Sequence, residues 1–226
     1  MTELIHRTSR FVLAIVICST LAGSIAETSA AAQTPSPCAA TVGSGSGSIP
    51  PATPGATVSI PTQTAIEPEQ NPPGDIPDNQ AFVAYTSPTG GYSITMPEGW
   101  ARQENGANVS FSDKLHLFSV EIGCGTGPAD EAAAQGEVDS TLAQTIPAFE
   151  LVAITSVTLP AGPAVLIQYR TNSEPDPVTG RQYRLDVDRY ELVRDGVRAI
   201  ISLGGPAGSD NVDVSRQVSE SFQWNQ

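Results

Sequence analysis

Asp186 and Asp188 stand two residues apart between Arg184 and Arg189. Side chains repeat every second residue along a strand, so the two carboxylates would share a face roughly 7 Å apart. A hard cation takes oxygen ligands, and two carboxylates helped by a loop would hold one. The same alternation of charge also describes a solvated strand face whose ion pairs contribute little. Glu174 and Asp176, in a stretch that reads as a loop, pose the same choice. His116 is the only histidine after residue 32, which excludes a His-pair metal site and any mechanism that needs a second imidazole. Ser-His-Asp catalysis would have to use His116 itself, and no Gly-x-Ser-x-Gly surrounds a serine. Neither Gly43–Ser48 nor Gly204-Gly205 leads into the Gly-Lys-Ser/Thr of a phosphate loop. Paired carboxylates could serve a glycosidase, but nothing else in the sequence supports one. No catalytic residue and no cofactor is assigned.

Three further residue types carry chemistry. Cys38 and Cys124 would pair if the compartment is oxidising and the geometry allows. Neither lies in a Cys-x-x-Cys motif, so redox catalysis has no support. Trp100 and Trp224 would either anchor a partner from the surface or lock a hairpin and a terminal helix onto a core.

These residues sit in a chain of three compositions. Residues 1–32 read as a secretory signal peptide. Arg7 and Arg10 precede the apolar run Phe11–Ile17, and small-residue sites follow at Ala26 and Ala32. A membrane span needs roughly 20 apolar residues, and this run is shorter, so an uncleaved anchor is the lesser alternative. Cys18 follows Ile17, the wrong residue type for a lipidation site. Residues 33–80 are rich in Pro, Ser, Thr and Gly, from Gly43–Ser48 to Pro72-Pro73. Such a segment buries too little apolar surface to offset its ordering entropy and reads as a linker. Residues 81–226 hold most of the apolar periodicity and both tryptophans, and are long enough for one domain with a real core.

The chain carries 11 Lys and Arg against 24 Asp and Glu, a net charge of −13. Lys114 is the only lysine. That balance excludes phosphate-backbone binding and adhesion to an anionic membrane. Any membrane association would run through a retained N-terminal segment.

Within 81–226, Phe82–Tyr85 and the alternation at Tyr92, Ile94 and Met96 predict two strands around the turn at Ser87–Gly91. Val109 with Phe111, and then Leu115–Ile122, predict two more, with a bulge where the alternation shifts at Leu117-Phe118. Pro128, Asp130 and Glu131 open a helix that runs through Val138, Leu142 and Ile146 and stops at Pro147. Strands are predicted at 151–159, 164–171, 182–193 and 197–203, with a hairpin turn at Asp195-Gly196. Val214, Val218 and Phe222 predict a closing helix, capped by Ser209 or Asp210. Strands, helix, strands, helix is the order of an α+β domain in which helices cover an antiparallel sheet.

The run Tyr85–Trp100, with Pro97-Glu98-Gly99-Trp100 at its end, resembles the opening hairpin of the PsbP-like superfamily. The closing Ser221-Phe222-Gln223-Trp224 is similar to that group's terminal helix. The group includes a photosystem II extrinsic subunit and DcrB-like bacterial envelope proteins. The resemblance implies an α/β sandwich and a non-enzymatic role in binding a protein partner or in assembly. Together with the export signal, it gives the expectation of an exported binding or assembly module of the cell envelope or exterior. The alternatives are a structural or stress-related envelope protein without a ligand, or a secreted hydrolase.

Overall fold

The computed structural model describes Cys38, residues 63–69 and residues 74–225. The chain divides into two units, Met1–Ala32 and Gln33–Gln226. The expected signal peptide, residues 1–32, lies outside the described residues, as does most of the expected linker.

Among the described residues, the second unit contains ten strands, three α-helices and a π turn. In chain order come β1 (Phe82–Thr86), β2 (Tyr92–Pro97), β3 (Ala101–Asn105), β4 (Asn108–Asp113) and β5 (His116–Cys124). A helical stretch follows, α1 (Glu131–Glu137), a π turn (Val138–Leu142) and α2 (Ala143–Thr145). Then come β6 (Glu150–Leu159), β7 (Gly162–Asn172), β8 (Arg184–Arg194), β9 (Val197–Pro206), α3 (Val212–Glu220) and β10 (Gln223–Trp224). The strands form two antiparallel sheets rather than the single one expected. The small sheet has the order β1-β2-β10, and the large one β3-β4-β5-β9-β8-β7-β6.

Alternation along the strands builds a core on each face of the large sheet. On one face Phe111, Phe118, Tyr190, Leu192, Ile201 and Leu203 pack under Tyr92, Ile94 and Met96 of β2 and under Val218 of α3. On the other, Val165, Ile167, Tyr169 and Val187 meet Ala134, Val138 and Leu142 of the helical stretch. Asp130 caps that stretch by accepting from the Ala133 amide at 2.8 Å. Ser140 Oγ donates to the Gly136 carbonyl at 2.7 Å, the acceptor an α-helix would offer to its own N–H, and the helix widens there into its π turn.

A charged cluster ties this helical stretch to the sheet. Glu191 of β8 keeps 2% of its surface exposed. Arg189 Nε donates to its Oε1 at 2.6 Å, and Arg198 Nη2 donates to its Oε2. The same Arg198 nitrogen reaches both carboxylate oxygens of Glu137 at 2.6 and 2.7 Å.

Several expectations are corrected. Register runs unbroken through Leu117 and Phe118, and the bulge lies instead in β6, between Leu151 and Ala153. Ser221–Trp224 falls beyond α3, and Gln223-Trp224 pairs with β2 as a strand. Asn211, not Ser209 or Asp210, stands at the N-cap of α3, and its side chain makes no cap bond because it is engaged elsewhere. Packing also starts upstream of Ala81, since Ile76 is buried.

Removing one partner from a buried ion pair costs about 3–5 kcal/mol, whereas an exposed pair is worth about 0.2–1 kcal/mol. Glu191→Ala should therefore destabilise the protein by roughly 3 kcal/mol or more. Arg102→Ala, which breaks the exposed pair with Glu104, should cost under about 1 kcal/mol. Denaturant titrations of the two variants make the comparison, and equal losses would contradict this account of the cluster.

Candidate functional site

Beside the first turn of α3, the small sheet leaves a corner of the large sheet uncovered. A cavity of about 250 Å³ opens there. Its floor comes from β7, β8 and β9, and His116 and Asn211 stand in its wall.

Asp186 and Asp188 both line this cavity, on one face of β8. Each meets the β7 residue opposite it in register. Arg170 Nε donates to Asp186 Oδ1 at 2.9 Å, and the Gly208 amide donates to Oδ2 at 3.2 Å. Gln168 Nε2 donates to Asp188 Oδ1 at 2.8 Å. Burial pushes the Asp188 carboxyl above its ordinary range; the Gln168 bond opposes this and the neighbouring Asp186 charge adds to it. The two acids are thus an Arg-paired and an amide-paired carboxylate. Among the described residues, no group of three or more His, Cys, Asp or Glu side chains is arranged to hold a metal ion.

The expected solvated face fails at Arg184. Its side chain is buried and binds the Ala148 carbonyl and Glu150 Oε2, both at 2.7 Å. Asp176 is used within its own loop, where Oδ1 accepts from the Val178 and Thr179 amides at 3.0 and 2.7 Å.

His116 is 5% exposed, and burial lowers its pKa. Trp100 lies over it with ring centroids 5.5 Å apart, and over Phe118 at 4.8 Å. Trp224 meets Phe222 edge-on at 5.1 Å. Both tryptophans are half-buried against the first core. Cys38 and Cys124 are joined by a disulfide with Cα atoms 5.5 Å apart.

Two side chains that hold the backbone upstream of β1 left no trace in the sequence pattern. Asn172 Nδ2 donates to the Thr64 carbonyl at 2.9 Å, and its Oδ1 accepts from the Ile66 amide at 3.2 Å. Asn211 does the same one segment on: Nδ2 to the Gly74 carbonyl at 3.1 Å, Oδ1 from the Ile76 amide at 2.8 Å. An asparagine in a polar stretch carries no periodic signal, and its partners here are more than 100 positions away.

No family model matches the sequence, and no curated protein matches it. Solved structures do. A cyanobacterial PsbP from Synechocystis is 16% identical, over 64% of this chain and 93% of its own, with a TM-score of 0.46. A PsbP is thus among the structural neighbours, as the resemblance of the opening hairpin implies. The Ran-binding protein Mog1p of Saccharomyces cerevisiae is 10% identical, over 65% of this chain and 96% of its own, with a TM-score of 0.45. LpqN of Mycobacterium tuberculosis, described as involved in cell envelope biogenesis, is 12% identical, over 66% and 87%, with a TM-score of 0.34. A Bacteroides thetaiotaomicron structure is matched over 48% of its own length, so this chain spans about half of it. Likeness at these levels concerns chain path and carries no partner or activity across.

The raised Asp188 carboxyl gives a prediction with a definite sign. Its folded form resists ionisation, so its contribution is fully present below the ordinary value of 3.8 and is lost as pH rises above it. Asp188→Asn keeps an acceptor for Gln168 and removes the titration. The variant should gain stability relative to the parent between pH 3.5 and pH 7, read from denaturation midpoints at both. A difference that does not change with pH would refute the burial account.

Proposed function

We propose that this protein is a non-catalytic binding module that takes hold of a protein partner through the cavity beside α3. The carrying observation is the β6 bulge. An extra residue in a strand re-aims a side chain, and the shift between Leu151 and Ala153 leaves Val152 at the cavity, 53% exposed. Val212 faces the same cavity and is 70% exposed. Two exposed valines therefore flank the carboxylates of Asp186 and Asp188. That combination suits a long side chain with an apolar stem and a cationic end, as lysine and arginine have. A volume of 250 Å³ is below the roughly 300–1,000 Å³ of small-molecule sites, which favours a single inserted side chain over a metabolite. The net charge of −13 favours encounter with a basic partner surface.

Export supports an extracytoplasmic setting for this binding and rests on the Arg-led apolar run and small-residue sites of residues 1–32. No helix among the described residues is long and apolar enough to cross a membrane.

Crosslinked capture from an envelope extract, with the full chain as bait and mass spectrometry as readout, tests the reading. A partner recovered by the parent should be lost with Val152→Asp plus Val212→Asp. It should be kept with Val178→Asp, where the valine is 91% exposed in the β7–β8 loop. Retention by the double variant would remove the cavity from the interface. No reproducible partner across low and moderate salt would sink the binding module itself.

A further inference from the structure

The large sheet has two edges, β3 and β6. An edge presents N–H and C=O groups with which another strand can pair. At β6 that row is interrupted by the bulge, and Glu131 Oε1 accepts from the Ser156 amide at 2.9 Å. At β3 every residue is exposed.

The β3–β4 hairpin fixes which groups of β3 point outward. Asn105 pairs with Asn108 across the two-residue loop Gly106-Ala107, and Gly106 takes the positive φ, 62°, of a tight turn. The residues flanking such a loop exchange hydrogen bonds, and the pattern alternates from there. Ala101, Gln103 and Asn105 therefore bond to β4. Arg102 and Glu104 turn their backbone groups to the open side.

A strand added to this edge must meet outward groups with outward groups. For β3 against a second, antiparallel β3, few registers satisfy that. Arg102 opposite Arg102, or Glu104 opposite Glu104, sets like charges face to face, which destabilises a sheet. Centring the pair on Gln103 sets Arg102 opposite Glu104 in both directions. Only this register uses both outward residues of each copy and joins opposite charges. Bulk does not obstruct it, since Gln103 meets Gln103 and Ala101 meets Asn105.

We propose that β3 is a self-recognition edge, through which two copies of this chain join antiparallel about a two-fold axis at Gln103. The charges are already aligned for it. The Arg102 guanidinium lies over the Tyr85 ring at 5.7 Å, and its Nε is 3.1 Å from Glu104 Oε1. Both side chains stay open to a second copy, at 55% and 38% exposure.

The axis of such a pair is perpendicular to the sheet, so the two cavities open on the same side. β4 and β5 separate β3 from the cavity floor on β7, β8 and β9, which leaves each cavity accessible. A partner with two basic side chains in reach would then bind the second at a raised effective concentration. The pairing itself does not depend on what the cavity holds.

Two factors limit its strength. A strand of five residues is a small contact beside the roughly 1,200–2,000 Å² of a stable interface. Each chain also carries a net charge of −13. The dimer is therefore weak. Its dissociation constant should lie between about 1 µM and 1 mM at about 0.15 M salt, where repulsion beyond about 8 Å is screened.

Sedimentation equilibrium of the full chain across that range provides the test. The mass should rise from monomer toward dimer. Arg102→Glu and Glu104→Arg should each weaken association about tenfold or more, and the double variant should restore it. The two single changes move the net charge in opposite directions, so a general charge effect would split them. Amide exchange reads the same edge in the unaltered chain. The Arg102 and Glu104 amides should gain protection as concentration rises, while Gln103, bonded to β4, is protected throughout. The proposal is overturned by a monomer at every concentration, which would leave the edge to a foreign strand or to solvent. It is overturned equally by a dimer that either single change leaves intact, by a folded double variant that does not associate, or by protection at Arg102 and Glu104 that ignores concentration. Should the double variant not fold, exchange in the unaltered chain decides.

Discussion

A carboxylate with almost no access to water sits inside this domain, and the arrangement of both faces of the large sheet follows from it. Burying a carboxylate this deeply costs several kcal/mol unless cations are bonded to it, and Arg189 and Arg198 reach it from β8 and β9. Two guanidiniums around one carboxylate leave an excess of positive charge in a place of low polarity. Glu137 at the end of α1 supplies the balancing charge. The helical stretch is thereby fixed in position along the sheet by charge as well as by the apolar contacts of Ala134, Val138 and Leu142. Apolar contacts tolerate sliding; a carboxylate bonded through both oxygens does not. Gly127 belongs to the same constraint, because a Cβ there would lie 3.0 Å from Arg198 Nε.

With the helical stretch committed to one face, the small sheet and α3 must cover the other. Three short strands and one helix of nine residues are too little for a sheet of seven strands. The uncovered corner becomes the cavity, and the polar pairs Arg170–Asp186 and Gln168–Asp188 occupy the positions where an apolar core would otherwise continue. The chain upstream of β1 covers part of what remains, burying Ile76 and the imidazole of His116. Residues 74–76 therefore pack against the folded strands, although their composition is that of a linker.

Much of the framework is legible in the sequence because local rules and global fold agree. Tyr92, Ile94 and Met96 alternate and are buried in alternation. Asp195 and Gly196 take the positive φ values, 51° and 75°, that a tight hairpin between two twisted strands demands. Strand β3 is illegible for a physical reason. Ala101–Asn105 is an edge strand exposed along its whole length, so no apolar alternation is required of it. Alternation predicts a bulge at Leu117-Phe118, but alternation records only which side chains are apolar. Leu117 is an exposed leucine in unbroken register, and the true irregularity lies where Val152 remains apolar and outward. Charge alternation around Arg184 misleads likewise, since its partners are carbonyl and carboxylate oxygens set in place by tertiary packing.

Asn172 and Asn211 show why a composition argument misses a docked segment. A linker poor in apolar residues cannot bury itself, but it can be held by its backbone, which every sequence has. Holding a backbone in extended form takes a side chain that donates and accepts in one plane through two separate atoms, and asparagine does this where an ionised aspartate could only accept. At residue 211 the requirement competes with another. Asn211 is the N-cap of α3, and a capping side chain accepts from a helix amide; this one makes no cap bond because its oxygen is committed to Ile76. A lost cap costs about 0.5–2 kcal/mol, so holding Ile76 and capping α3 draw on the same oxygen, and the backbone bond is the one that is made.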